Sequence, residues 1–156
     1  MTLNTFVGSY KHTQRGTLIL ALLLGFAALF IGLGLTLLKP FLFSVPILLL
    51  FAWQFSSLTI EITGRELHWR FGPGLIRKSV PLADIVSAQP VKTNFLEGWG
   101  IHITRRGWLY NVSGFDAVAV TLRSGKRFAL GTDEPSALVA RLAEVIQQNN
   151  PAGFEA

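Results

Sequence analysis

From Thr17 to Leu38 the chain runs for 22 residues without a charged side chain, and ten of them are leucine. After Lys39 and Pro40 a second apolar run extends from Phe41 to Ser57. At 1.5 Å of rise per helical residue the two runs reach roughly 33 Å and about 26 Å, against a hydrocarbon layer of about 30 Å. Unpaired backbone groups are costly in lipid, so both runs are expected to be helices. A two-residue link between them then dictates an antiparallel transmembrane hairpin. A secretory signal with Lys11 and Arg15 as its basic flank is the rival reading. The first run is too long for an h-region, and no small-x-small cleavage site precedes the second.

The expected division is a segment over residues 1–16, a hairpin over 17–57 with spans at 17–38 and 41–57, and a single domain over 58–156. All nine acidic residues lie in that last part. Lys11 and Arg15 precede the first span, Arg65 and Arg70 follow the second, and only Lys39 sits in the turn, so both termini are expected to be cytoplasmic. Trp53, Gln54, Ser56 and Ser57 read as interfacial anchors. Neither span contains Asp, Glu, Lys, Arg or His, so the usual marks of an ion path or proton relay are missing.

Ala21, Gly25, Ala28 and Gly32 recur at spacings of four, three and four, which lines one helix face with small side chains. Two readings stay open: the stripe receives the second helix of the same hairpin, or it docks another membrane subunit.

Beyond Ser57 the apolar period falls to two. Leu58, Ile60 and Ile62 alternate with polar residues, as do Leu67, Trp69 and Phe71, across a turn at Gly64-Arg65. Strands are expected over Ile76 to Leu82 and Asp84 to Val91. Others follow around Ile101 and Ile103, and around Trp108, Tyr110 and Val112. The last hairpin pairs Val118, Val120 and Leu122 with Phe128 and Leu130 across Ser124-Gly125. An amphipathic helix starting at Asp133-Glu134-Pro135 and ending near Asn149 offers the stripe Leu138, Val139, Leu142, Val145 and Ile146. Seven or eight strands and one such helix suggest a small antiparallel barrel or sandwich with a helical plug, an α+β membrane protein overall.

The segments GWGI at Gly98 to Ile101, GWLYNVSG at Gly107 to Gly114 and VTLRSGKRFALGTDEP at Val120 to Pro135 resemble bacterial proteins of the pleckstrin-homology-like (PH-like) family. Many of these carry a two-helix hairpin ahead of the domain. The resemblance covers Thr17 to about Gln148. It implies a recognition module without catalysis, held at the bacterial cytoplasmic (inner) membrane, since such folds serve lipid, peptide and protein binding. Phosphoinositide-binding members resemble one another in a basic loop between their first two strands. Here that connection is Thr63-Gly64-Arg65-Glu66, one arginine beside a glutamate, which argues against specific inositol-phosphate recognition.

Net charge is +5, of which Lys11, Arg15 and Lys39 supply three, leaving the domain too weakly basic for nucleic acid. Cysteine is absent, so thiolate chemistry and cysteine metal sites are excluded. His12, His68 and His102 fit no metal-ligand spacing, no nucleophile or phosphate-binding motif is present, and no cofactor is expected. Asn111-Val112-Ser113 is a formal glycosylation sequon in an expected cytoplasmic strand. Basic side chains gather at Arg77-Lys78, at Arg105 and Arg106, and at Arg123, Lys126 and Arg127. They read either as solvated surface or as contacts to anionic headgroups. Phe95, Leu96 and Trp99 form an apolar loop, either a partner contact or part of the core. The leading expectation is a non-enzymatic, membrane-anchored adaptor or accessory subunit that binds a membrane protein. Anionic-lipid sensing is the alternative, and an enzyme comes third.

Overall fold

The structure, a computed structural model, describes residues 9–94, 97, 100–104 and 107–149. Strand β1 (Tyr10–Arg15) leads into helix α1 (Thr17–Thr36). A 3-10 segment (Lys39–Phe43) and helix α2 (Ser44–Gln54) then return the chain to strand β2 (Ser57–Thr63). Strands β3 (Glu66–Phe71) and β4 (Ile76–Pro81) complete a four-stranded antiparallel sheet in the order β1-β2-β3-β4.

A 3-10 turn at Leu82–Asp84 carries the chain into a second sheet. It holds β5 (Ile85–Lys92), β6 (Gly100–Thr104), β7 (Gly107–Asn111), β8 (Asp116–Leu122) and β9 (Arg127–Gly131), ordered β5-β8-β9-β7-β6. Its pairs are antiparallel except β7 with β9, which run parallel. Helix α3 (Pro135–Asn149) packs on β5 and β8.

The strands do not close into a barrel. Two separate sheets face one another, and Leu138, Leu142 and Val145 of α3 join the core they share. The shared core takes Leu58, Ile60 and Ile62 from β2, Leu67, Trp69 and Phe71 from β3, and Tyr110, Val118, Val120, Phe128 and Leu130 from the second sheet. Trp69 stacks on Phe128 with ring centroids 4.9 Å apart and tilts against Tyr110 at 5.2 Å. Val118 pairs with Leu130 and Val120 with Phe128, the register that the alternation of the last hairpin dictates.

Strand β1 is an addition to the expected set, and the described residues hold nine strands. It pairs with β2 along its whole length, from Tyr10 opposite Ile62 to Arg15 opposite Ser57. The helical segment is therefore an insertion between two neighbouring strands. Gly16 N donates to Ser56 O at 2.8 Å, which closes the neck where the chain leaves and returns.

Among the described residues only α1 is long and apolar enough to cross a membrane, and that is a matter of length and composition alone. The second run is not one continuous helix from Phe41 to Ser57. Pro46, the third residue of α2, has no N–H to offer Leu42, so the α-helix starts at Ser44, behind a 3-10 segment. It stops at Gln54 because Ser57 already pairs with Arg15. The α-helical part reaches about 16 Å, and with the 3-10 segment the stretch Lys39–Gln54 reaches about 26 Å, against a hydrocarbon layer of about 30 Å.

The expected anchors separate accordingly. Trp53 is 55% exposed, whereas Gln54 is buried with Nε2 donating to Phe71 O, and Ser57 belongs to β2.

Candidate functional site

Alternation along β2, β3 and β4 sends Leu58, Ile60, Leu67 and Trp69 into the core and Thr59, Glu61, His68, Arg70, Arg77 and Ser79 to the other side of the sheet. These six, together with Trp69 and Lys78, line an open cavity of about 510 Å³. Thr59 is buried at its floor. Across the mouth Arg70 stands directly opposite Arg77, and His68 opposite Ser79.

The carboxylates nearby are engaged elsewhere. Glu61 accepts from Thr63 Oγ1 at 3.1 Å and pairs with Lys11 at 3.6 Å, while Glu66 pairs with His68 at 3.3 Å. Arg70 donates to Gly72 O at 3.2 Å, and among the described residues neither Arg70 nor Arg77 has a carboxylate partner. Lys78, one residue further on, also lines the cavity but turns its ammonium away: its Nζ donates to Tyr110 Oη at 2.9 Å and lies 5.6 Å from the Trp108 ring centre.

The cavity adjoins the neck of the helical insertion. β3 ends in the turn over residues 72–75, where Gly72 N donates to Ser57 O. Gly72 has φ +43°, and a Cβ there would sit 2.6 Å from Trp53 O at the end of α2. Leu75, in the same turn, is 70% exposed.

In the sequence Arg77 stands beside Lys78, and Arg70 stands out only as a basic residue flanking the second apolar run. The signal for the pair was legible: Phe71 and Ile76 flank Gly72-Pro73-Gly74, and one step outward on each side reaches Arg70 and Arg77.

The small-residue stripe of α1 does not receive α2. Ala21, Gly25, Ala28 and Gly32 are exposed, and a Cβ on Gly25 or Gly32 would meet nothing within 4 Å. α2 and the 3-10 segment lie instead on the side of Ala27 and Gly34, the buried residues of α1, and Gly34 abuts Leu42. Leucines at 20, 23 and 33 are half-buried there and make that face close at least as well as the small residues would.

Phe95, Leu96, Trp99, Arg105 and Arg106 lie outside the described residues. Arg123, Lys126 and Arg127 sit at the β8–β9 turn. That turn is at the far end of these strands from Ala117 and Gly131, roughly 14 Å along β9. The near end is the one by the neck, where Gln14 Nε2 donates to Ser113 O at 2.9 Å.

The histidines occupy three different settings. His68 faces outward beside Glu66, and His102 is half-buried, its Nε2 shielded and without a partner among the described residues. His12 sits between two carboxylates, Nε2 at 2.5 Å from Asp133 Oδ1 and Nδ1 at 3.3 Å from Glu134 Oε2. It ties β1 to the start of α3, a contact between residues 121 apart that no local pattern announces. Tyr10, two residues away on β1, has its hydroxyl pushed up to about 12, first by burial and then by the Glu134 and Asp133 charges. Among the described residues no group of three or more His, Cys, Asp and Glu side chains is arranged to hold a metal ion. No family model matches the chain, and no curated protein matches it.

Proposed function

We propose that the chain is a membrane-anchored, non-enzymatic recognition domain of PH-like type, which serves as an adaptor or accessory subunit for a membrane-protein partner. The observation that carries the anchor is the apolar surface of the insertion. Leu18, Leu22, Phe26, Leu29 and Leu35 on α1, and Ile47, Leu50 and Phe51 on α2, are all more than 40% exposed. A soluble monomer seldom leaves a continuous apolar surface of that extent in water.

Because β1 and β2 are paired neighbours, a chain that enters the bilayer through α1 returns to the same side through Lys39–Gln54. The Lys11, Arg15, Arg65 and Arg70 flanks favour the cytoplasmic side. The bacterial inner membrane follows from the resemblance.

Support for a membrane-protein partner comes from the open stripe of α1, a surface on which a neighbouring helix can approach backbone to backbone. Lipid sensing draws its support from a different part of the molecule, the outer face of the first sheet.

Purification of the full chain from native membranes in mild detergent is expected to bring a membrane protein with it. Gly25→Leu/Gly32→Leu should release that protein while leaving the thermal midpoint of the chain unchanged, since both positions face open space. A clean monomer at every concentration would remove the adaptor reading, and turnover abolished by one polar substitution would replace it with an enzyme.

A further inference from the structure

Arg70 and Arg77 face each other across neighbouring strands, an arrangement that costs stability unless an anion lies between them. No side chain among the described residues supplies one, because Glu61 and Glu66 are paired with Lys11 and His68. Thr59, Glu61, His68 and Ser79 line the same open cavity of about 510 Å³, with Ser79 as a further hydroxyl beside the two arginines. Such a volume admits a polar headgroup. Paired guanidiniums suit a phosphate, to which each can donate two parallel N–H bonds.

Position selects the source of that phosphate. Arg70 is two residues from Gly72, whose backbone abuts the last carbonyls of α2, so it stands about 7 Å along the strand from the helix end. The polar layer outside the hydrocarbon is itself roughly 5–8 Å deep on each side. With the helices in a bilayer, the pair lies within that layer, while exposed Leu75 and Trp53 lie on its hydrocarbon side.

We infer that the Arg70–Arg77 cavity binds the phosphate of an anionic lipid headgroup, an inference that rests on the bilayer reading of α1 and α2. It uses different residues from the β8–β9 turn, which stands at the other end of its strands.

The test takes the full chain in micelles holding equal amounts of phosphatidylglycerol and phosphatidylcholine, with the retained lipid read by native mass spectrometry. Wild type is expected to retain phosphatidylglycerol preferentially. Arg70→Gln/Arg77→Gln should lower that preference by roughly tenfold, the scale of one lost charge-assisted contact. Arg123→Gln/Lys126→Gln, which removes the same charge at the far turn, should keep it. The Arg70/Arg77 variant should melt no lower than wild type in neutral detergent, which separates lost binding from lost folding.

Equal preference in wild type and the Arg70/Arg77 variant would overturn the site. Displacement of the lipid by an equal concentration of inorganic phosphate would overturn the lipid source in favour of a free anion. A chain that stays in the aqueous phase without detergent would overturn the bilayer reading itself, before any lipid is added.

Discussion

At the scale of single residues, Tyr10 shows how β1 joins the domain at some cost. Its ring packs against the main core, but its hydroxyl is buried without a hydrogen-bond partner among the described residues. Burial and the neighbouring Glu134 and Asp133 charges push the phenol up to about 12 from an ordinary 10. A raised value means that the folded state holds its proton when the unfolded state has already lost it. Stability from this source is therefore full below pH 10 and lost as pH rises towards 12. Tyr10→Phe removes both the stranded hydroxyl and the titration. At neutral pH it should raise stability by about 1 kcal/mol, the lower end of what an unsatisfied buried group costs. Denaturant midpoints measured on either side of pH 10 should also show a shallower alkaline loss than wild type. A variant that loses stability at neutral pH would mean that the hydroxyl has a partner after all.

At the scale of elements, the β3–β4 turn meets the end of α2 at Gly72. There φ is +43° and a Cβ would sit 2.5 Å from Gln54 O and 2.6 Å from Trp53 O. Gly64, in the β2–β3 turn, has φ +62° but open space around it. Gly64→Ala should therefore cost only the left-handed backbone penalty, about 1 kcal/mol. Gly72→Ala adds a collision with two carbonyls and should cost about 3 kcal/mol or more. Thermal denaturation of both variants in detergent measures the difference, and equal losses would show that the turn does not bear on α2. The elements on either side of this junction differed in how far the sequence announced them. β2, β3, β8, β9 and α3 were legible because Leu58, Ile60, Ile62, Val118, Val120, Leu138 and Leu142 keep the periods of two and of three to four that a buried face imposes. β1 was not. Its inward positions are Tyr10, His12 and Gln14, and two of these are held by Asp133 and Ser113, hydrogen bonds to distant residues that leave no apolar alternation behind. The break in the second apolar run was hidden for a related reason: composition was read there, while the missing N–H of Pro46 and the pairing of Ser57 decided where α2 begins and ends. The candidate site was legible in part, since Arg70 and Arg77 flank a visible turn but become a pair only once register is known.

At the scale of the whole molecule, the order strand, helices, strand makes the two-sheet domain discontinuous in sequence. A cut at Leu58 follows the change in composition, but it discards β1 and leaves the β2 edge unpaired from Leu58 to Ile62. Unpaired edges of that length invite association with other chains. It also removes Gln14 from Ser113 and His12 from Asp133, two of the contacts that tie the first sheet to the rest of the domain. Arg15 and Ser57 are register partners, so a two-residue Asn-Gly link between them is the length a tight hairpin requires. A chain in which that link replaces residues 16–56 should fold as a soluble monomer with a single cooperative thermal transition. It will be less stable than the full chain, because Ile19 and Phe55 no longer cover the core. The fragment beginning at Leu58 should instead aggregate, or melt without a cooperative transition. Size-exclusion chromatography and circular dichroism on the two proteins decide the matter. If the Leu58 fragment were as monomeric and as stable as the linked domain, β1 would be an ornament on the sheet and the helical insertion would hang from one end alone. If only the linked domain folds, both ends of the insertion are fixed in one sheet, and the Arg70–Arg77 cavity is held at a set height above the helices.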